Sequence, residues 1–264
     1  MNRNGLLIAL GIALVVGLIF GVFPGLDLWL SRPFYANIDQ IGNVFASRIN
    51  PTTMFLRQMS MWIVTLLVAP AVVALLLKFL LPRRPSLLPG RAVIFLTATL
   101  ALGPGVVTNL VLKDHWGRSR PIDVVQLGGS ERFVAWWDSH GECPDNCSFV
   151  SGDVSAAAWT LAPAALAPPL WRPVAYGAAL TFTGVVALLR MAAGGHFFTD
   201  TVFAGVFTFL IIWLMHGLLY RWPQTRVSDA AVENRIGWLG AETAAAVQDL
   251  FGRLRQYFSK ASTR

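Results

Sequence analysis

Six apolar runs dominate this chain of 264 residues, and they constrain its fold more than any other feature. A helix needs about 20 mostly apolar residues to cross a bilayer. The runs cover roughly residues 5–23, 60–81, 92–112, 151–167, 174–193 and 198–220, which approach that length. We therefore predict an all-α fold: a six-span transmembrane helical bundle of residues 1–220, followed by a polar tail of residues 221–264.

The composition supports a membrane location. Hydrophobic residues make up 55% of the chain, charged residues only 13%, and the mean hydropathy is +0.57. An ordinary soluble domain carries about 25% charged residues. The first run is longer than the apolar region of a signal peptide and ends in Phe23-Pro24-Gly25 rather than at small residues, so we interpret it as a retained anchor.

The net charge of +7 indicates contact with anionic lipid rather than with nucleic acid. Basic residues flank the apolar runs and form no basic stripe interleaved with exposed aromatics. Arg83, Arg84 and Arg91 lie in a short loop between the second and third runs, which predicts that this loop is cytoplasmic. The chain is then a multi-pass membrane protein with both termini in the cytoplasm and the loop at 113–150 on the opposite side, which would be the periplasm in a bacterium. Arg32, Arg48 and Arg57 would lie outside, so the bias is incomplete.

The periplasmic loop contains both cysteines, Cys143 and Cys147. A zinc site would need more ligands than this pair offers. A disulfide on the oxidising side is the preferred interpretation, and two free thiols are the alternative.

Two further segments have a predicted surface role. From Ser228 onward, apolar residues recur at helical spacing and indicate an amphipathic helix on the cytoplasmic surface, although Gly237, Gly240 and Thr243 weaken the pattern. The semi-polar stretch from Leu26 to Met59 could cover the entrance to a periplasmic site.

Three clusters of ionisable residues lie at the ends of runs, where such groups usually mark function. The first contains Lys113 and Arg120, cations suited to an anion; cations reaching toward lipid headgroups are the alternative. The second is Ser151-Gly152-Asp153, where a helix N-terminus could hold an anion; simple capping by Ser151 or Asp153 is the alternative.

The third cluster contains Arg190, His196 and Asp200. A spacing of four would put His196 and Asp200 on one face of a helix. An imidazole held by a carboxylate has a fixed tautomer and can act as a base or a nucleophile.

Together the clusters resemble the type 2 phosphatidic acid phosphatase family. Its signature is Lys, six residues and Arg-Pro; then Pro-Ser-Gly-His; then Ser-Arg, five residues, His, three residues and Asp. Lys113, Arg120 and Pro121 match the first part, and Arg190, His196 and Asp200 match the third. The resemblance covers about residues 112–200, together with the six-span architecture of the membrane members. It implies a member from the inner membrane of a bacterium, with its active site facing the periplasm.

The resemblance implies a set of roles. His196 would attack phosphorus and form a phospho-histidine, with Asp200 orienting its imidazole. The phosphoryl oxygens would be held by Lys113, Arg120, Arg190, the Ser151 hydroxyl and the Gly152 amide. Such a cradle stabilises phosphoryl transfer without metal, so neither a metal nor a cofactor is expected. Water would then cleave the intermediate.

The chain departs from the signature at Leu189, Val150 and Asp153, which stand where Ser, Pro and His are usual. In the family that His protonates the leaving oxygen, whereas aspartate has a reference pKa of about 3.9. Asp153 could be protonated in the complex, His115 or His140 could supply the proton, or the leaving group could need little protonation, as with a diphosphate or an anomeric phosphate. The last explanation is preferred because it needs no rearrangement; a site that binds phosphate but turns over poorly is a fourth.

The expected substrate is a membrane lipid phosphate. Lipid A or a related glycolipid is favoured, with undecaprenyl diphosphate or phosphatidylglycerol phosphate as the alternative. A lipid phosphotransferase and a non-catalytic phosphate-lipid binder are the contrasting possibilities.

Overall fold

The computed structural model describes residues 2–38 and 42–261, and these are mostly helical, with a long irregular segment over residues 116–151. The helices are α1 (Arg3–Val22), α2 (Gly25–Ser31), α3 (Ala46–Ile49), α4 (Pro51–Leu80), α5 (Gly90–Leu100), α6 (Lys113–His115), α7 (Gly152–Ala158), α8 (Leu161–Leu166), α9 (Arg172–Ala192), α10 (Phe198–His216) and α11 (Asp229–Ala261). Single 3-10 turns occupy Arg32–Phe34 and Val125–Leu127, and π-helical stretches occupy Ala101–Leu112 and Gly217–Arg221. One hairpin pairs β1 (Tyr35–Ile38) with β2 (Gly42–Phe45) in antiparallel register.

Within the described ranges, five helices are long and apolar enough to cross a membrane: Arg3–Val22, Pro51–Leu80, Gly90–His115, Arg172–Ala192 and Phe198–Arg221. They coincide with five of the six predicted runs, so the helical character of the fold is confirmed. The predicted fourth run forms instead two short helices, α7 and α8. Pro163 explains the interruption, because it has no N–H to donate to the carbonyl of Trp159, which accepts from Ala162 at 2.8 Å instead.

The third long helix changes from α-helical to π-helical hydrogen bonding at Ala101. Pro104 lies inside this stretch and cannot contribute an N–H to an α-helical ladder. Wider π-type turns accommodate such an interruption and are frequent at functional sites. The stretch leads directly into Lys113.

The described contacts divide the chain into two units, one of Met1–Leu67 and Ala98–Leu218, the other of Val68–Thr97 and Leu219–Arg264. In the first unit α7 packs between α9 and α10, and α1 packs along α10. A buried chain of hydroxyl groups fixes α7: Thr108 donates to Ser155 at 2.9 Å, and Ser155 is hydrogen-bonded to Thr208 at 2.7 Å. These contacts hold the start of α7 beside Lys113.

The second unit contains α11, which begins where the sequence predicted the amphipathic tail helix. Asp229 in its first turn accepts from the Arg91 guanidinium at 2.7 Å and from the Arg91 backbone N–H at 3.0 Å. Gly240, which weakened the sequence pattern, lies against the backbone carbonyl of Phe79, where a Cβ atom would collide. The glycine thus permits close packing within this unit.

Candidate active site

The ends of several helices in the first unit bring their polar residues together. Lys113 lies in the last turn of the helix Gly90–His115, Gly152 begins α7, Arg190 lies in the last turn of α9, and Asp200 lies in the first turn of α10. The three sequence clusters therefore converge, as the predicted topology required.

His196 lies in the loop between α9 and α10, and only 1% of the residue is exposed. Its Nδ1 is 2.7 Å from the backbone carbonyl of Ser148. A carbonyl can only accept, so the ring proton is on Nδ1 and the lone pair is on Nε2. Burial, followed by the charges of Arg190, Lys113 and Arg120, lowers the pKa of His196 well below its ordinary value of 6.5. A neutral imidazole with a free Nε2 is the form that a nucleophile requires.

Asp200 reaches His196 through Ser148. Its carboxylate accepts from the Phe197 backbone N–H at 2.8 Å and from the Ser148 hydroxyl. The same Ser148 supplies the carbonyl that binds the imidazole. Since α10 begins at Phe198, His196 precedes the helix, and the interpretation that both residues share a helical face is wrong.

Arg118 also binds Asp200, and the sequence interpretation gave it no role. Its side chain is fully buried and donates from Nη1 to Asp200 and, at 2.8 Å, to the Thr199 hydroxyl. Arg118 is one of the six residues between Lys113 and Arg120, and the motif leaves the identity of these six residues unspecified. The sequence signal that could have identified Arg118 was the presence of a second arginine in the motif, directly after Gly117.

Lys113 and Arg120 meet at Asn146, in the loop closed by the two cysteines. Lys113 Nζ donates to the Asn146 side chain at 2.8 Å, and Arg120 donates to its backbone carbonyl at 2.6 Å. Asn146 has a φ of 45°, a left-handed conformation that asparagine tolerates better than most residues. Both cations are thus held beside each other by one exposed residue that the sequence interpretation missed.

Asp153 lies between two arginines. Its Oδ2 accepts from Arg57 Nε at 2.7 Å and lies 3.0 Å from Arg190 Nε. The second contact is an ion pair without hydrogen-bond alignment, since Arg190 Nε has no hydrogen-bond partner. Two guanidinium groups favour the ionised carboxylate. Arg57 comes from the first turns of α4, and its only sequence signal was a cation at the end of an apolar run.

Ser151 and Gly152 take the positions expected of a helix start. The Ser151 hydroxyl accepts from the Val154 N–H at 3.4 Å and so caps α7, which leaves its own proton available. A Cβ atom on Gly152 would lie 2.9 Å from Asn109 Oδ1 and 3.7 Å from Lys113 Nζ. The absent side chain therefore leaves space next to the lysine ammonium.

The Gly194-Gly195 pair shapes the wall beside Arg190. Gly194 has a φ of +64°, which ends α9 in a left-handed conformation. A Cβ atom on Gly195 would lie 2.5 Å from an Arg190 guanidinium nitrogen. The first glycine turns the chain toward His196, and the second lets Arg190 fold back over the loop.

Cys143 and Cys147 are joined by a disulfide. Their backbone N–H groups donate to the carbonyls of Gly117 and Lys113, at 3.1 and 2.9 Å. The cysteine loop is thereby attached to the segment that carries the first cluster.

His140 and His115, the two histidines considered as alternative proton donors, have partners outside these clusters. His140 is 3.1 Å from Asp138 and its side chain is 90% exposed, whereas His115 is 3.0 Å from the Val111 carbonyl. No group of three potential metal ligands occurs among residues 2–38 and 42–261.

This geometry can carry out phosphoryl transfer. Fixed cations stabilise the charge on the equatorial oxygens, and a neutral imidazole nitrogen provides a nucleophile. Of the three candidate proton donors, Asp153, His115 and His140, Asp153 forms an ion pair with a predicted phosphate-binding cation, Arg190.

Comparison with known proteins agrees with this chemistry. Residues 91–227 match the PAP2 superfamily. The lipid A 4'-phosphatase of Francisella tularensis subsp. novicida is 33% identical over 222 residues, which is 84% of this chain and 98% of that protein. The lipid A 4'-phosphatase of Rhizobium leguminosarum is 28% identical over 193 residues, covering 70% of this chain and 83% of that protein. A protein of the same name from Rhizobium etli is 37% identical over 106 residues, 38% of this chain and 39% of that protein.

No solved structure gives a significant match. The family match covers just over half of the chain, and the Francisella protein is similar along nearly its whole length. The chain belongs to the PAP2 superfamily.

Proposed function

We propose that this protein is a membrane phosphatase that hydrolyses the 4'-phosphate of lipid A through a phospho-histidine. The observation that carries the proposal is the state of the His196 imidazole. Its Nδ1–H is bound to the Ser148 carbonyl, its Nε2 is free, and the ring lies near the charges of Lys113, Arg120 and Arg190. The names of the relatives support lipid A as the substrate.

In the first step, Nε2 of His196 forms a bond to phosphorus while the bond from phosphorus to the sugar oxygen breaks. Lys113, Arg120 and Arg190 hold the phosphoryl oxygens, together with the Gly152 amide and the Ser151 hydroxyl. For this, Lys113 and Arg120 exchange their contacts with Asn146 for contacts with phosphate. In the second step, water attacks the phospho-histidine and releases inorganic phosphate.

Asp153 supplies the proton to the leaving oxygen. The sequence interpretation preferred a leaving group that needs little protonation, but a 4'-phosphate leaves a ring alkoxide, which does need a proton. Bound phosphate would engage Arg190 and place negative charge beside Asp153. Both effects raise the proton affinity of the Asp153 carboxylate, so substrate binding itself would favour the protonated form that can donate to the leaving oxygen.

The site would lie at the periplasmic face of a six-crossing chain. Lys113 and Arg190 each lie in the last turn of a long helix, Gly90–His115 and Arg172–Ala192, and both place positive charge near His196, so the two helices would run in the same direction. The chain must therefore cross back between them, and α7 and α8 with the turn before α9 are the segment available for that crossing. This segment is buried among other helices, which suits a short, interrupted crossing.

This orientation puts both termini in the cytoplasm and leaves the Cys143–Cys147 disulfide in an oxidising compartment. Compartment-sensitive reporters fused after residues 88 and 264 are expected to report cytoplasm. A reporter inserted after residue 128 is expected to report periplasm; the reverse pattern would contradict the assignment.

Purified protein in detergent, incubated with lipid A, tests the activity. We expect release of inorganic phosphate and a product that mass spectrometry identifies as lacking the 4'-phosphate. Undecaprenyl diphosphate, phosphatidylglycerol phosphate and phosphatidic acid serve as competing substrates, and His196→Ala serves as the inactive control. Transfer of phosphate to a second lipid without release would identify a phosphotransferase, and binding without turnover would identify a binder.

A further inference from the structure

A buried carboxylate from the N-terminal part of the chain belongs to the same hydrogen-bond network as His196. Asp27 lies in α2, outside the family-matched residues 91–227, and is 1% exposed. It accepts from Arg118 Nη2 at 2.8 Å, from the Thr199 hydroxyl at 2.6 Å and from the Thr199 backbone N–H at 3.1 Å.

Arg118 connects Asp27 to the site. Its Nη2 faces Asp27 and its Nη1 faces Asp200, while Nε donates to the Val134 carbonyl at 3.2 Å. Its guanidinium lies 4.5 Å from the centre of the Phe197 ring and 5.7 Å from that of Phe133. All three nitrogens of Arg118 are therefore hydrogen-bonded, and its orientation depends on having one carboxylate at each of its two terminal nitrogens.

Asp200 completes the connection. Its other oxygen accepts from the Ser148 hydroxyl and the Phe197 N–H, and Ser148 supplies the carbonyl that binds His196 Nδ1. We infer that Asp27 is a positioning residue for His196, acting through Arg118, Asp200 and Ser148. The inference rests on the proposed phosphatase function, because it assigns Asp27 a part in the rate of that reaction.

The charge of Asp27 matters because one guanidinium serves two carboxylates. Without that charge, Arg118 would pair with both oxygens of Asp200, which would withdraw Asp200 from the Ser148 hydroxyl. Ser148 would then be free to shift, and the imidazole would lose its fixed partner. Lys113, Arg120 and Arg190 would stay in place, so phosphate binding would be preserved while chemistry slowed.

A purely structural role is the competing explanation, since Asp27 also receives the Thr199 N–H in the first turn of α10. Asp27→Asn separates the two roles, because an amide oxygen can still accept from Thr199 but carries no charge. Asp27→Glu restores the charge on a longer side chain. Asp249→Asn is the matched control, since Asp249 lies on α11 with a 61% exposed side chain.

The experiment measures kcat, KM and the thermal unfolding midpoint of these full-length variants in detergent, with lipid A as substrate. We expect Asp27→Asn to lower kcat by about tenfold, the lower end of the effect seen when a hydrogen-bond partner of a metal-binding histidine is removed, with KM within about threefold of wild type. Asp27→Glu is expected to recover part of kcat, and Asp249→Asn to match wild type.

Unchanged kcat in Asp27→Asn would overturn the inference, as would kcat that falls only in proportion to the folded fraction, or failure of both Asp27 variants to fold. A nitrogen NMR spectrum of labelled histidine provides a readout that needs no turnover. Wild type is expected to show His196 as the Nδ1–H tautomer, and Asp27→Asn a mixture of tautomers. Absence of wild-type turnover would reject the proposed function, whereas identical spectra in both proteins would reject the role of Asp27.

Discussion

Arg57 donates from Nε to Oδ2 of Asp153 at 2.7 Å, although the two residues are 96 positions apart in the chain. Asp153 stands where the family signature has a histidine, so its environment determines whether it can replace that histidine. The positive charge of Arg57, on α4, favours the ionised form of Asp153. In the proposed mechanism, Arg57 would therefore set how readily Asp153 takes up the proton that it gives to the leaving oxygen.

Replacing Arg57 should change the pH dependence of catalysis. In Arg57→Gln, Asp153 loses a neighbouring positive charge, so it should keep its proton to higher pH in the substrate complex. We expect the alkaline limb of the kcat profile to move to higher pH, and Arg57→Lys to move it less. Arg253→Gln, an exposed arginine on α11, is the control. An unshifted limb in Arg57→Gln would show that Asp153 does not titrate under the influence of Arg57.

Removing the acid itself should slow the chemical step. General acids typically contribute about 100-fold to 10,000-fold, so Asp153→Asn should lower kcat by at least about 100-fold. KM should not rise, because Arg190 loses a competing partner and stays available to phosphate. Asp153→His restores the residue of the family signature and should retain more activity than the asparagine variant. Full activity in Asp153→Asn would show that the proton comes from elsewhere.

Asn146 offers a test of the cation pair at the cysteine loop. Asn146→Asp would place a carboxylate against Lys113 and near Arg120, where it competes with the substrate phosphate. We expect KM for lipid A to rise by about tenfold, equivalent to about 1.4 kcal/mol, with little change in kcat. Gln126→Glu makes the same chemical change on an exposed 3-10 turn and should leave KM unchanged. Equal KM values in the two variants would argue against direct phosphate binding by this pair.

The imidazole of His196 should stay neutral in mildly acidic solution. Burial and three neighbouring cations place its pKa below 6.5, so the nucleophilic form is fully present at and above pH 6.5 and is lost only as the pH falls further. Nitrogen NMR of labelled histidine, with His196→Ala to identify the resonance, should show the neutral Nδ1–H form at pH 6.5. An imidazolium signal from His196 at that pH would contradict the predicted electrostatics.

Chelation should leave the rate unchanged. We expect Lys113, Arg120 and Arg190 to stabilise the negative charge of the phosphoryl group. The described residues contain no group of three potential metal ligands. Phosphate release from lipid A, measured with and without an excess of a strong chelator, checks this expectation. A large loss of activity that added divalent cation restores would require a different account of the site.

The sequence predicts the parts of the site that have fixed spacing along the chain. Lys113, Arg120, Arg190 and His196 follow from motif spacing, and the structure brings them together at the ends of the helices. The interruption of the fourth run was also open to prediction, because Pro163 lies inside it and breaks the hydrogen bonding of a helix.

Residues whose role depends on folding over long separations gave no such signal. Asp27 and Arg57 each appear in the sequence as a single charge beside an apolar run, and only the tertiary structure shows what they pair with. Asn146 acquires its contacts through a left-handed backbone conformation that its neighbours do not reveal. The hydrogen bond from His196 to the Ser148 carbonyl is likewise invisible to side-chain motifs, because the acceptor belongs to the backbone.

The contact between Asp27 and Thr199 spans 172 positions of the chain, from just after α1 to the start of α10. While the polypeptide is being synthesised and inserted into the membrane, Asp27 is present long before Thr199 has been made. The hydrolytic centre can therefore arise only when synthesis of the membrane portion is nearly finished, so incomplete chains should be inert toward the lipids that surround them.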